Sequence, residues 1–302
     1  MPPESGYLHP AYAASLAGFG VPVALPASGG WLLRRRIDAS GIEDATGPYP
    51  LFCCRDWNGL PADLDRLRDA LVSVVLVTDP LADCGIDMLR ATFEHVVAFR
   101  RHYVIDLDTP FEHSISRSHR AHARRALREV EVEICAEPWR YLDDWMRLFG
   151  ILVERHGIRG PRRFSRQAFD EQFAVPGMTM VRASRHGQTV GLDLWYVQGD
   201  CAQGHLAAFD EAGYALQASY ATKWTVIEHF RRRQLRWINL GGGRSESGTD
   251  GLSRFKQGWT SATRQAWLCG RVLQPQAYAA LVAARAPVDQ DFFPAYRHGL
   301  DD

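Results

Sequence analysis

Between residues 139 and 272 the apolar positions change their period several times, and each change marks an element. Trp139, Leu142, Trp145, Phe149 and Leu152 recur at three- to four-residue spacing, which predicts an amphipathic helix over 139–155. A second helix is expected over 165–173, with Ser165 placed to cap its first turn. Alternating runs at 179–183, 189–197 and 202–208 then predict strands, and the polar turns at 185–188 and 198–200 make them antiparallel hairpins. Leu216, Tyr220, Trp224, Ile227 and Phe230 give the next helix, 215–233. Strand 235–240 runs into Gly241, Gly242 and Gly243, followed by a short helix over 252–257 and a strand over 266–272. An antiparallel meander followed by one βαβ crossover is a specific order.

The first part of the chain is loop-rich and holds many of the prolines. Runs at 31–37, 51–54 and 73–77 read as strands, 64–71 as a short helix and 103–107 as another strand. A helix is expected over 116–130, with Ala123, Leu127 and Val130 on one side, and 130–134 alternates like a half-exposed strand. Pro138 favours a break, so the expected domains are 1–137 and 138–302.

With 46% hydrophobic and 23% charged residues, the chain has the composition of a globular protein able to bury a core. Its formal net charge is +0, so no global field draws it to nucleic acid or anionic lipid, and any such contact must be a local patch. The cysteines follow no metal-ligand or disulfide rhythm, and neither a metal nor a permanently bound cofactor is expected. No basic-then-apolar leader stands at the amino end and no apolar run has membrane-spanning length, which makes the cytoplasm the expected location.

Candidate chemistry gathers around the glycines. The chain has 33 arginines and only two lysines, Lys223 and Lys256. A lysine at 256 suits a compact charge aimed at one oxygen, where a guanidinium fork does not fit; the competing reading is a surface lysine beside a core Phe255. Gly241, Gly242 and Gly243 allow a close backbone approach or positive φ. They fit neither a dinucleotide fingerprint nor a P-loop. Asp193 points away from the face shared by Val190, Leu192 and Leu194, where it is either a base or acceptor-binding carboxylate or the partner of an arginine. Arg117, Arg120, Arg124 and Arg128 form a stripe that could hold phosphates of tRNA, coenzyme A or a lipid pyrophosphate. Balanced global charge favours a plain solvated face.

The element order, with Trp237-Ile238-Asn239-Leu240-Gly241-Gly242-Gly243 and then Gly251-Leu252-x-x-Phe255-Lys256, resembles the GNAT acyltransferase fold. It is similar in particular to the subgroup of Fem-type peptidoglycan-bridge aminoacyltransferases and related acetyltransferases. Gly47-Pro48-Tyr49-Pro50, the strand 103–107 and the Ser118–Ala126 segment look like that subgroup's first-domain landmarks, so the likeness spans roughly 45–273. It implies a mixed α/β protein of two tandem GNAT-like domains, the first on the acceptor side. The activity it implies is transfer from acyl-CoA to an amine or hydroxyl of a small molecule or cell-envelope precursor. Two alternatives stand beside this: an aminoacyl-tRNA donor acting on a peptidoglycan precursor, and a GNAT-like protein that only binds. Lys256 and Asp193 are the catalytic candidates. Gln217, Ser219 and the three glycines are those for the donor, since a helix start offers free N–H groups to phosphate. Tyr49, Arg120, Arg124, Arg244 and Phe255 are those for the acceptor. The GNAT pyrophosphate loop is missing, with 210–220 in its place, as is common in the subgroup, and no heptad run provides a tRNA-binding arm.

Overall fold

The computed structural model describes residues 4–37, 41–110, 115–243, 249–285 and 292–299. The chain opens with α1 (Pro10–Ser15), β1 (Val21–Leu25), β2 (Gly30–Arg36), β3 (Glu43–Thr46), α2 (Leu60–Arg66), β4 (Ser73–Val77) and α3 (Ile86–Thr92). It continues through β5 (His95–Asp106), α4 (Arg117–Glu129), β6 (Glu131–Cys135), α5 (Leu142–His156) and α6 (Arg166–Phe173). The strands β7 (Met178–Arg185), β8 (Gln188–Gln198) and β9 (Cys201–Phe209) precede α7 (Glu211–Ala215) and α8 (Ala218–Arg232). Last come β10 (Trp237–Gly242), α9 (Gly251–Gln257), β11 (Thr263–Val272) and α10 (Pro275–Arg285).

The chain forms two compact units, and neither is the half bounded at residue 137 that the sequence suggested. An amino-terminal unit takes Tyr7–Phe99, Arg159–Phe164 and Gln265–Asp302; a central unit takes Met1–Gly6, Arg100–Ile158 and Ser165–Arg264. The reason is strand pairing: β11 returns late in the chain to run antiparallel to β4, with Cys269 opposite Leu76. In the amino-terminal unit the strand order is β1-β2-β3-β4-β11, over a core that includes Leu32, Phe52, Leu64, Leu76, Phe93 and Cys269. The expected strand at 51–54 is reduced to one parallel bridge, Phe52 to Thr78, with the residues on either side of Phe52 outside the ladder. Asp44 of β3 is buried and accepts from Arg297 (2.6 and 2.9 Å), Tyr296 (3.0 Å) and Arg35 (3.2 Å).

In the central unit the order is β5-β10-β9-β8-β7-β6. The meander β7-β8-β9 is antiparallel as expected, and β10 joins β9 in parallel after the α8 crossover. Ile105, Trp195, Phe230, Ile238 and Trp259 form the centre of its core. Ser165 caps α6 by accepting from Ala168 N at 3.1 Å, the contact its position predicted. Two expectations change. Leu127 is exposed on α4, whose buried face is His119, Ala123 and Ala126, since that is the side packed towards α8. The single crossover helix is two: α7, capped by Asp210, ends before Gln217, which takes a left-handed conformation (φ 57) and redirects the chain into α8.

Candidate functional site

The local rule that shapes the site is the end of one strand pairing. β10 and β9 are in register at Trp237↔Cys201, Ile238↔Ala202 and Asn239↔Gln203, and at no later residue. β9 continues to Phe209 beside β8, while β10 keeps to β5, where its register slips between Asn239 and Gly242. Beyond Asn239 the two parallel strands therefore part. Gly241 lies at φ 81, a backbone region that disfavours any side chain, and a Cβ there would stand 3.1 Å from the Lys256 ammonium.

Lys256 reaches that point from α9. Asp250 caps the helix, accepting from Leu252 N and Ser253 N at 3.0 Å each. The other end is held by α4: Ser116 N donates to Gly258 O (2.8 Å), and His119 Nε2 donates to Phe255 O (2.8 Å). So fixed, Lys256 Nζ donates to Gly242 O at 2.7 Å, and Arg100 donates to Gly243 O at 2.9 Å. Burial of the ammonium lowers the Lys256 pKa to about 7, although the residue as a whole is only half-buried; Lys223 and Arg100 push the same way, and Asp250 and Asp193 oppose them.

The second lysine completes the charge pattern. Lys223, on α8, pairs with Asp193 of β8 at 2.9 Å and lies over the Trp195 ring at 4.2 Å. Asp193 is nearly fully buried, and its ion-pair partner is this lysine and not the arginine that the sequence favoured. Lys223 has no motif to mark it. Its only sequence signal is rarity, since the chain's two lysines lie within electrostatic reach of one another.

Sequence reasoning also missed a buried polar group between the strands. Asn239 Nδ2 donates to Gln203 Oε1 (2.7 Å), and its Oδ1 lies 2.8 Å from Gly241 N and 3.2 Å from His102 Nδ1. All three side chains are buried. Burial, followed by the Lys256 charge, lowers the His102 pKa to about 4, so the imidazole is neutral at ordinary pH.

The remaining candidates are placed as follows. Gln217 sits at the start of α8, with no side-chain cap on that helix, and bonds His122 Nδ1 at 2.9 Å; Ser219 is half-buried in the first turn. Phe255 is part of an aromatic cluster with Tyr220 (5.0 Å), His119 (5.7 Å) and Trp259 (6.1 Å). Arg120 is half-buried and Arg124 exposed on α4, and none of Arg117, Arg120, Arg124, Arg125 and Arg128 has an ion-pair partner among the described residues. Tyr49 belongs to the amino-terminal unit, where its carbonyl accepts from Tyr12 and it lines a groove of about 1210 Å³ with Phe19, Arg34 and Phe99. Arg244 lies outside the described residues. Among the described residues no group of side chains is arranged to hold a metal ion, and no helix is long and apolar enough to cross a membrane.

Residues 114–257 match the family model of the acetyltransferase (GNAT) domain. No curated protein matches the chain by sequence. Among solved structures, FemX superimposes with a TM-score of 0.69 at 15% identity, covering 92% of this chain and 95% of its own. The C-terminal domain of an Agrobacterium fabrum protein designated a lysylphosphatidylglycerol synthetase gives 0.61 at 14% identity, covering 90% of each chain. L-PGS from Bacillus licheniformis gives 0.60 at 13% identity, covering 90% of this chain and 94% of its own. At such identities the likeness is one of fold.

Proposed function

We propose that this protein transfers an acyl group from acyl-CoA directly to an amine or hydroxyl, a reading supported by the match of residues 114–257 to the acetyltransferase (GNAT) domain model and by the fold shared with FemX. The observation that carries this reading is the parting of β9 and β10 beyond Asn239, with the Lys256 ammonium at the opening. A thioester laid between the strands would present its carbonyl there. The acceptor's nitrogen or oxygen attacks the carbonyl carbon, and the charge that develops on the carbonyl oxygen is stabilised by the protonated Lys256. Collapse of that intermediate breaks the C–S bond; the thiolate departs, and the proton lost by the acceptor balances it. No covalent enzyme intermediate is needed. Asp193 is committed to Lys223 and acts on the charge of the cleft rather than as a free base.

The first turn of α8, around Ser219, has no side-chain cap and would turn its N–H groups to the donor's diphosphate, with Gln217 beside it although its own N–H is spent on Tyr214 O, and Gly241 to Gly243 would let the donor approach the backbone. Phe255 would border the acceptor. A cell-envelope precursor is the acceptor class we favour, since FemX and the lysylphosphatidylglycerol synthetase share the fold. A cytoplasmic site of action accords with a thioester donor.

One observation favours a second reading, in which the donor is aminoacyl-tRNA: the arginines of α4, Arg120 and Arg124 among them, have no ion-pair partner among the described residues and suit a chain of phosphates. Thermal-shift titrations with acetyl-CoA, longer acyl thioesters and charged tRNA separate the two, because a ligand that binds the folded state raises the melting temperature with occupancy. Stabilisation by a thioester, with turnover lost in Lys256→Ala, supports the first reading. Deacylation of charged tRNA without thioester binding supports the second. Binding of neither donor leaves a non-catalytic binding protein.

A further inference from the structure

We infer that Asn239, held between Gln203 and His102, is the positioning residue that sets where the Lys256 ammonium stands. The inference rests on the reading of Lys256 as the reacting cation, and its argument is geometric. Gly241 N–H can only donate, so the Asn239 atom 2.8 Å away must be the carbonyl oxygen. That fixes the amide: Nδ2 faces Gln203 Oε1 at 2.7 Å, and His102 Nδ1 must carry the proton it shares with Oδ1 at 3.2 Å. One side chain thereby ties β5, β9 and β10 at the last position where β9 and β10 pair.

The consequence is carried by the next two residues. A parallel neighbour would normally take the Gly241 N–H into the ladder. Here the side chain two residues earlier takes it, and the strand turns at Gly241 through φ 81. That turn aims Gly242 O at Lys256 Nζ, 2.7 Å away, and Gly243 O at Arg100. Removing the Asn239 amide leaves Gly241 N–H, Gln203 and His102 competing for partners in a buried site, and the loop that fixes the ammonium is then free to rejoin β9. The groups acting on that ammonium are Lys223 of α8, Asp193 of β8, Asp250 at the start of α9, and Arg100 of β5, with the neutral His102 alongside.

The chain's two lysines make a direct test possible. Reductive methylation with 13C-formaldehyde labels Lys223, Lys256 and the amino terminus, and NMR titration of the 302-residue chain then follows each amine separately. Lys256→Arg and Lys223→Arg assign the signals. In the wild type the Lys256 signal should titrate near 7. Asn239→Asp keeps the oxygen that Gly241 needs and sets a carboxylate near the ammonium, and should raise that midpoint by about one unit or more. Asn239→Ala should shift the midpoint towards that of an exposed lysine and lower kcat by about tenfold or more, with the donor KM changed by less than about threefold. A wild-type midpoint in Asn239→Ala would overturn the inference, since the carboxylate of Asn239→Asp acts on a nearby amine through its charge alone and serves only to show that position 239 is within electrostatic reach. If acyl transfer is never observed but the midpoints move, the positioning holds and the assigned reaction fails. If Lys256→Ala retains full turnover, the reading of Lys256 fails and takes this inference with it. Should Asn239→Ala not fold, the near-isosteric Asn239→Leu, which also removes the oxygen that Gly241 needs, is read by the same midpoint.

Discussion

Methionine at position 256 would keep most of the apolar stem of lysine and remove its ammonium. In the folded protein that ammonium titrates at about 7, against 10.5 for an ordinary lysine. Between those values the unfolded chain holds a proton that the folded chain has released, so stability should rise with pH across the window. Below pH 7 both states are protonated and the whole penalty of the desolvated ammonium is present. Integrating the proton difference from pH 7 to 9 gives at most about 2 kcal/mol. A half-buried side chain that relaxes towards water would deliver roughly half of that. Lys256→Met lacks the titration, and it loses the bond to Gly242 O at every pH. Urea unfolding of both proteins at pH 6, 7, 8 and 9 isolates the effect, since titrations common to both cancel in the difference. The variant should be most favoured relative to wild type at pH 6 to 7, and that advantage should shrink by about 1 kcal/mol by pH 9. Parallel stability curves over the range would show that the ammonium is not desolvated in the folded state.

Two further outcomes follow from other contacts. Asp44→Asn leaves Arg297 and Arg35 around a neutral amide in the amino-terminal unit, and should cost about 3–5 kcal/mol, read as a drop in the urea midpoint at unchanged slope. Reversing the exposed α4 charges with Arg124→Glu and Arg128→Glu should weaken donor binding and flatten its salt dependence, with little change in melting temperature; an unchanged salt slope would assign the stripe to solvent alone.

How far the sequence could be read varied with the distance over which each feature is determined. The meander β7-β8-β9 was legible because alternation and turn residues act within a few positions, and Ser165 was legible as a cap for the same reason. The crossover was legible as a helix but not as two, because Gln217's left-handed conformation is stabilised by its place between packed helices, not by its residue type. Leu127 was misplaced because only tertiary contact decides which face of a mixed helix turns inward; alanines and a histidine face α8 instead.

By itself, the sequence determined the run of elements from α5 to β11 except the division of the crossover into α7 and α8, the glycine segment after an apolar strand, and the scarcity of lysine that marked position 256. Those are consequences of short-range periodicity and composition. Only the tertiary structure decided that β11 rejoins β4 and makes the amino-terminal unit discontinuous, and that Lys223 and Asp193 stand within electrostatic reach of Lys256. It alone placed Gln203, Asn239 and His102 in one hydrogen-bonded group. These residues come from strands far apart in the chain, and hydrogen bonding and burial between them depend on which strands pair, which no local pattern of polar and apolar residues encodes.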